Sequence, residues 1–406
     1  MKKANSQVYA YRWVVLGVLS ILSLVIEIHW VNFAAIAREA RLYYGVTALQ
    51  IDFFSLIYMI VFLVMCIPAS FIIDKYGIRI GTGIGAVLIV IFALMKGIFS
   101  DNYLLVCVAQ TGLAIAQPFL TNAGTKVANH WFPMTERATA VGIASMSMFL
   151  GIMVALIATP LMLTQNAAGA SQLDSMLMTY GIISAVSAIL LLVLMKERPP
   201  TAPEIGEDEE RYTPFKGIST VFKTRDMVIV LVVVFIALGT FNAITTCIDQ
   251  ISQLKSLNIE QAGMLGGVML IAGLAGAIVL PILSDRLQKR KIFLLLGMIG
   301  MAPGLAGIIF ASDYILLLGF SSLLGFFLLG AAPVLFQYSA EITFPAPEST
   351  VQGLIQYVGQ ISGVLFVYAM NQLSVTGVMY FFLALSIISI VLFSMIKESP
   401  RILISN

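Results

Sequence analysis

Apolar runs of about 20 residues recur along this 406-residue chain, separated by short polar stretches, and a helix of that length crosses the hydrocarbon core of a bilayer. Twelve runs stand out, at 13–37, 51–73, 80–99, 102–128, 138–162, 176–195, 227–250, 260–284, 292–311, 313–339, 350–372 and 375–396. They predict an all-α membrane protein of twelve transmembrane helices, and the even number puts both termini on one side. A composition of 59% hydrophobic and 11% charged residues leaves no soluble domain over.

The polar positions orient the chain. Lys and Arg in short loops are kept in the cytoplasm. Nineteen of the 23 basic residues fall on the side of the termini, against Arg38, Arg41, Lys96 and Lys255 on the other. Both termini are therefore expected in the cytoplasm, with the chain in the cell membrane. The first run is too long for a signal peptide, contains Glu27 and ends in Arg38-Glu39 without a small-residue cleavage site, so it is expected to stay as helix 1. Cys66, Cys107 and Cys247 are odd in number, dispersed and within spans, which argues for packing rather than a disulfide framework or metal site.

Between the sixth and seventh runs the composition changes, with Pro199-Pro200, Pro203, the acidic run Glu207-Asp208-Glu209-Glu210 and Pro214, as expected of a solvated linker. The predicted organisation is an N-terminal six-helix bundle over 1–198, a cytoplasmic linker over 199–225 and a C-terminal six-helix bundle over 226–406. The loops repeat between the bundles. Asp74-Lys75-Tyr76-Gly77-Ile78-Arg79 is echoed 211 residues later by Asp285-Arg286-Leu287-Gln288-Lys289-Arg290, and Trp131-Phe132-Pro133 with Glu136 is echoed 212 residues later by Thr343-Phe344-Pro345 with Glu348. Two pairs at nearly one offset argue for a duplicated unit.

The acidic-basic loop resembles the signature loop of the major facilitator superfamily: Asp, a basic residue, any residue, Gly, then basic residues. The first copy fits; the second has Gln288 in place of Gly. The resemblance implies the major facilitator fold, two pseudo-symmetric six-helix bundles that rock about a mid-membrane site. Asp74, Lys75, Gly77, Arg79, Asp285 and Arg286 would then lock and release the cytoplasmic side. In the eighth run, Gly263, Gly266, Gly267, Gly273 and Gly276 would allow close helix contact, and Pro68 and Pro281 would bend helices at matching places.

Glu27, His29 and Trp30 interrupt the first run about midway. A charge at that depth costs at least about 2 to 3 kcal/mol and is usually retained for function, so the chain reads as a membrane transporter. At 100° per residue, Glu27, Trp30, Phe33 and His29 cover an arc of about 160°. Trp30 and Phe33 are expected to face a central cavity, with Glu27 and His29 at its margins, bonded to neighbouring helices; for each of these two, a purely structural bond is the alternative. Gln110 and Gln117 share a face of helix 4. Asn242, Thr245, Thr246 and Asp249 share one of helix 7, with Asp249 near its outer end as a mouth or gate residue, and Gln352, Gln356 and Gln360 share one of helix 11. Buried amides must point inward. No Lys or Arg lies near the middle of any run, which disfavours a dedicated anion carrier. No Gly-x-x-x-x-Gly-Lys loop is present, so a gradient rather than ATP is the expected energy source.

Further strings resemble the feline leukemia virus subgroup C receptor family: Tyr11-Arg12-Trp13-Val14-Val15, Trp30, Tyr58-Met59, Pro68-Ala69, Ala116-Gln117, Trp131-Phe132 and Glu341-Ile342-Thr343-Phe344-Pro345. That family transports choline and ethanolamine, and heme export has been proposed for it. The resemblance implies that Trp30, Gln117 and Gln360 surround a choline ammonium group. The family's helix 7 tyrosine falls at Asn242, beside Phe241, so one cage wall is missing. Glu27 and His29 replace a small residue and a glutamine.

The reading is a secondary or facilitative transporter of a small cationic or zwitterionic amine by alternating access, with Trp30, Phe33, Gln117, Phe241, Asn242, Gln356 and Gln360 at the substrate. Glu27 and His29 serve as countercharge or coupling groups, which leaves proton coupling open. Heme or porphyrin export with His29 as iron ligand, organic anion transport and a non-transporting receptor are the competing readings. An enzyme is not expected, nor a cofactor, a metal or a nucleic-acid partner; the expected partners are the small-molecule substrate, protons and membrane lipids, and the expected state is a monomer.

Overall fold

The computed structural model describes residues 8–165, 171–201, 219, 221–346 and 348–399. Twelve helical segments among them are long and apolar enough to cross a membrane, from Tyr11–Tyr44 to Val375–Ser394. Each matches one of the predicted runs with bounds within four residues, except that the first continues to Tyr44 where the run ends at 37. The one β pairing among the described residues is a two-residue antiparallel bridge between Thr164–Gln165 and Ser171–Gln172 in the loop after the fifth span. The acidic run at 207–210, with Pro203 and Pro214, lies outside the described residues.

Two compact units divide the chain, Met1–Glu207 and Asp208–Asn406. In the first, α1 (Tyr11–Val31), α2 (Ala37–Tyr44), α3 (Ala48–Tyr76), α4 (Ile78–Ile98), α5 (Tyr103–Thr121), α6 (Ala123–Trp131), α7 (Met134–Met162) and α8 (Asp174–Leu194) follow one another. α1 packs on α7 and α8, α4 on α5 and α8, and α3 on α5. In the second unit, α9 (Arg225–Thr246), α10 (Ile248–Gln253), α11 (Ile259–Leu287), α12 (Lys291–Phe310), α13 (Tyr314–Thr343), α14 (Glu348–Gln372) and α15 (Val375–Ser394) repeat the pattern, with α9 on α14 and α13 on α11 and α12.

The internal repeat extends to devices that hydropathy does not show. A capping box opens α3, where Gln50 N–H donates to Thr47 Oγ1 at 3.3 Å and Thr47 N–H to Gln50 Oε1 at 2.9 Å. The same box opens α11, from Gln261 N–H to Asn258 Oδ1 at 2.7 Å and from Asn258 N–H to Gln261 Oε1 at 3.0 Å. Asn102 caps α5 through Leu105 N–H, and Asp313 caps α13 through Leu316 N–H, each at 3.1 Å. Thr47 to Asn258 and Asn102 to Asp313 both span the 211 residues that separate the signature loops.

Small residues bring α11 and α13 into backbone contact. A side chain at Gly276 would collide with the Phe326 carbonyl, and one at Gly325 with the Met269 carbonyl, so neither position admits a Cβ. Pro68 and Pro281 lie inside α3 and α11, each of which runs unbroken through its proline.

Candidate functional site

α1 ends at Val31 and is followed by a break at Asn32-Phe33, a 3₁₀ turn over Ala34–Ile36 and then α2. Glu27, His29 and Trp30 occupy the last turns before the break and are all buried. Successive residues on a helix point 100° apart, so each reaches a different neighbour. Gln117 Nε2 of α5 donates to Glu27 Oε1 at 2.8 Å. The Trp30 indole N–H donates to the Ser55 carbonyl of α3 at 3.2 Å, while the Ser55 hydroxyl donates back to the Trp30 carbonyl at 2.8 Å. His29 Nε2 lies 2.7 Å from the Ser184 hydroxyl of α8. Tyr58, one turn beyond Ser55 on α3, has a buried hydroxyl with no hydrogen-bond partner among the described residues.

Phe33 differs from expectation. Its ring is buried among aromatic side chains, 4.5 Å from Phe54 and 6.4 Å from Tyr44 between centroids, inside the first unit rather than on a cavity wall.

Lys96, counted above among the basic residues of the outer side, is fully buried in the last turn of α4. Its ammonium donates to Asn32 Oδ1 at 3.2 Å and Gln110 Oε1 at 2.7 Å, and lies 4.8 Å from the centre of the Phe33 ring. Gln110 Nε2 in turn donates to the His29 carbonyl at 2.7 Å and the Phe54 carbonyl at 3.0 Å. The acceptors are neutral amides, and the ammonium stands where the carbonyl end of α1 carries partial negative charge. The two glutamines that share a face of α5 thus do opposite things: Gln117 offers its N–H groups to an acid, Gln110 its oxygen to a base.

In the second unit, α9 breaks at Cys247, so the polar stripe predicted on helix 7 is not one helix face. Asn242, Thr245 and Thr246 belong to α9, and Asp249 belongs to the short α10, where it accepts from Gln253 at 2.9 Å. Asn242 stands as far before the break at Cys247 as Glu27 does before Asn32, and donates to the Gly359 carbonyl of α14 at 3.2 Å. Beside it Phe241 is buried. Gln360 is half-buried, and its enclosed oxygen and the buried hydroxyls of Thr240, Thr245 and Thr246 have no partner among the described residues; Gln356 is exposed.

The signature loops show which bases act. Asp74 pairs with Lys126 of α6 at 3.0 Å, Lys75 lies over the Phe71 and Tyr76 rings, and the Arg79 N–H donates to Glu197 at 2.8 Å. Gly77 has φ 95°, a left-handed conformation, and the Glu197 carboxylate fills the space a Cβ would need. In the second copy Gln288 takes the left-handed conformation itself, at φ 50°. Arg286 is exposed. Asp285 is engaged instead by Arg290, the counterpart of Arg79, which also reaches Glu341 of α13 at 3.3 Å. Burial pulls the Arg290 guanidinium down, but Asp285 and Glu341 reverse this and leave it above its ordinary value. Glu398 receives the Arg290 N–H at 2.8 Å, as Glu197 receives that of Arg79. Glu197 and Glu398, unnoticed above, each follow a lysine just past the last helix of their half; that doubled Lys-Glu pair was the available signal.

The family model of the Major Facilitator Superfamily matches residues 13–367 and, again, 230–403. The chain belongs to the Major Facilitator Superfamily. It is therefore a multi-pass membrane protein of a transporter family. A choline/ethanolamine transporter of Felis catus, FLVCR1, is 28% identical over 90% of this chain and 68% of its own length. Solute carrier family 49 member A3 of Xenopus tropicalis is 29% identical over 92% and 80%. An uncharacterised transporter of the same superfamily from Caenorhabditis elegans is 28% identical, and the chain spans 66% of its length, just under two thirds. The fold is shared with a bacterial homologue of the human lysosomal transporter Spinster, inward-facing and unoccupied, at a TM-score of 0.76, 12% identity and coverage of 98% and 99%.

Proposed function

We propose that this protein moves a small cationic or zwitterionic amine, choline or ethanolamine, across the cell membrane by alternating access, with both termini in the cytoplasm. The observation that carries the reading is Glu27: a buried carboxylate whose bonded partner is the neutral Gln117, one helical turn from the Trp30 ring. An acid without a protein cation attracts one from outside, and an aromatic face adds about 0.5 to 2 kcal/mol of cation-π attraction. Within the second unit, Gln360, Thr240, Thr245 and Thr246 keep buried oxygens without a partner among the described residues, acceptors of the kind hydroxyl and N–H groups require. The substrates named for FLVCR1 and the distribution of basic residues support the same assignment.

The competing readings lose ground locally. His29 is fully buried with Nε2 against Ser184, a poor position for a heme ligand. Lys96 is a buried base, but its bonds run to Asn32 and Gln110, so it offers no free charge to an anion. Uptake of labelled choline and ethanolamine into proteoliposomes tests the proposal: saturable uptake lost in Trp30→Ala is expected, and uptake of carboxylates in preference to amines would overturn it. Proton coupling through Glu27 predicts a pH dependence of uptake that disappears in Glu27→Gln.

A further inference from the structure

Lys96 is costly as placed. A buried ammonium has lost its water, and this one has been given amide oxygens rather than a carboxylate. Its position explains what it does. Asn32 is the residue at which α1 ends, and the His29 carbonyl, one of the last of that helix, is held by the same Gln110 that accepts from Lys96. Through Gln110 the ammonium also reaches the Phe54 carbonyl of α3, and through the ring face it holds Phe33 on the far side of the break. Segments of α1, α3, α4 and α5 thus meet at one positive charge, two residues beyond Trp30.

We propose that Lys96 is a positioning residue for the amine site: it fixes where helix 1 breaks, and through that break sets the direction of Trp30 and Glu27. The inference rests on the function proposed above only in taking Trp30 to touch the substrate. A cation at the carbonyl end of α1, with two neutral acceptors and a ring, stabilises the end of the helix without neutralising Glu27. A carboxylate partner would hold Lys96 more tightly but would add a further buried acid to Glu27 and Asp52. Without the ammonium, Asn32 Oδ1 and Gln110 Oε1 lose their donor and the break can shift along the chain.

The test uses the full chain carrying Trp13→Phe and Trp131→Phe, which leaves Trp30 as the sole tryptophan of the three. Acrylamide quenching of Trp30 and the concentration dependence of choline uptake are measured for this parent, Lys96→Met and Lys96→Arg. Lys96→Met is expected to increase quenching and to raise KM about tenfold with little change in Vmax, the size of effect a small misplacement produces. Lys96→Arg is expected to restore both. Unchanged quenching and KM, or a fall in Vmax alone, would show that Lys96 only supports folding and would overturn the inference. Where Lys96→Met yields no folded protein, Lys96→Gln, which keeps donors but not charge, is read by the same criteria. If the parent moves no choline, the amine reading fails by itself, and quenching still decides the role of Lys96.

Discussion

Among the buried charges of the described residues, those around Arg290 and those around Glu27 and Lys96 are treated in opposite ways. In the C-terminal half Arg290 is paired with Asp285 and Glu341, and Glu341 receives Gln337 as well, at 2.8 Å. In the N-terminal half Glu27 has Gln117 and Lys96 has Asn32 and Gln110, all neutral. A buried ion pair neutralises itself and locks a geometry; Lys96 is enclosed by two amide oxygens and the Phe33 ring, whereas Glu27 has the single amide of Gln117. The contrast is the reason Glu27, and not the Arg290 cluster, is proposed above to meet the solute.

The sharpest way to break this comparison is Arg290→Met. It leaves Glu341 buried without its cation and should cost about 3 to 5 kcal/mol, whereas Arg290→Met with Glu341→Leu should recover most of that. Thermal unfolding in detergent measures both, and an equal loss in the two variants would refute the pairing. Next is Gly77→Ala, which forces a Cβ into a left-handed residue and into the Glu197 carboxylate; about 1 to 3 kcal/mol is expected. Gln288→Gly in the matching loop should be neutral or stabilising by about 1 kcal/mol. Glu27→Gln should lower amine uptake at least tenfold, about 1.4 kcal/mol, while leaving the unfolding temperature nearly unchanged, because an amide oxygen still accepts from Gln117. The smallest effect is expected from Asn242→Tyr. Adding the aromatic wall that the resemblance places there should tighten choline binding by a few-fold, worth about 0.5 to 1 kcal/mol, read by titration calorimetry.

Much of the fold was legible because a bilayer imposes length and apolarity on every span, and both can be read without knowing neighbours. The twelve spans and the first signature loop follow from that and from the repeat. What escaped depends on contacts. Lys96 lies close to the end of its apolar run, where a base looks like a loop residue; only the meeting of Asn32, Phe33 and Gln110 shows that its stem and head are both inside. Helical spacing sets the direction of Phe33 but not what stands there; its neighbours Phe54 and Tyr44 come from other segments. Glu27 and His29 were visible as anomalies, but their separate partners, Gln117 and Ser184, came only from packing.

Gly77 and Gln288 differ in chemistry and agree in the sign of φ. A mutation in the coding sequence at that position is therefore filtered by a torsion angle, not by side-chain identity. Copies of this loop in other chains would be recognised more reliably by searching for a positive-φ residue between two long helices, closed by a carboxylate just past the last helix of the same half, than by searching for the letters of a motif.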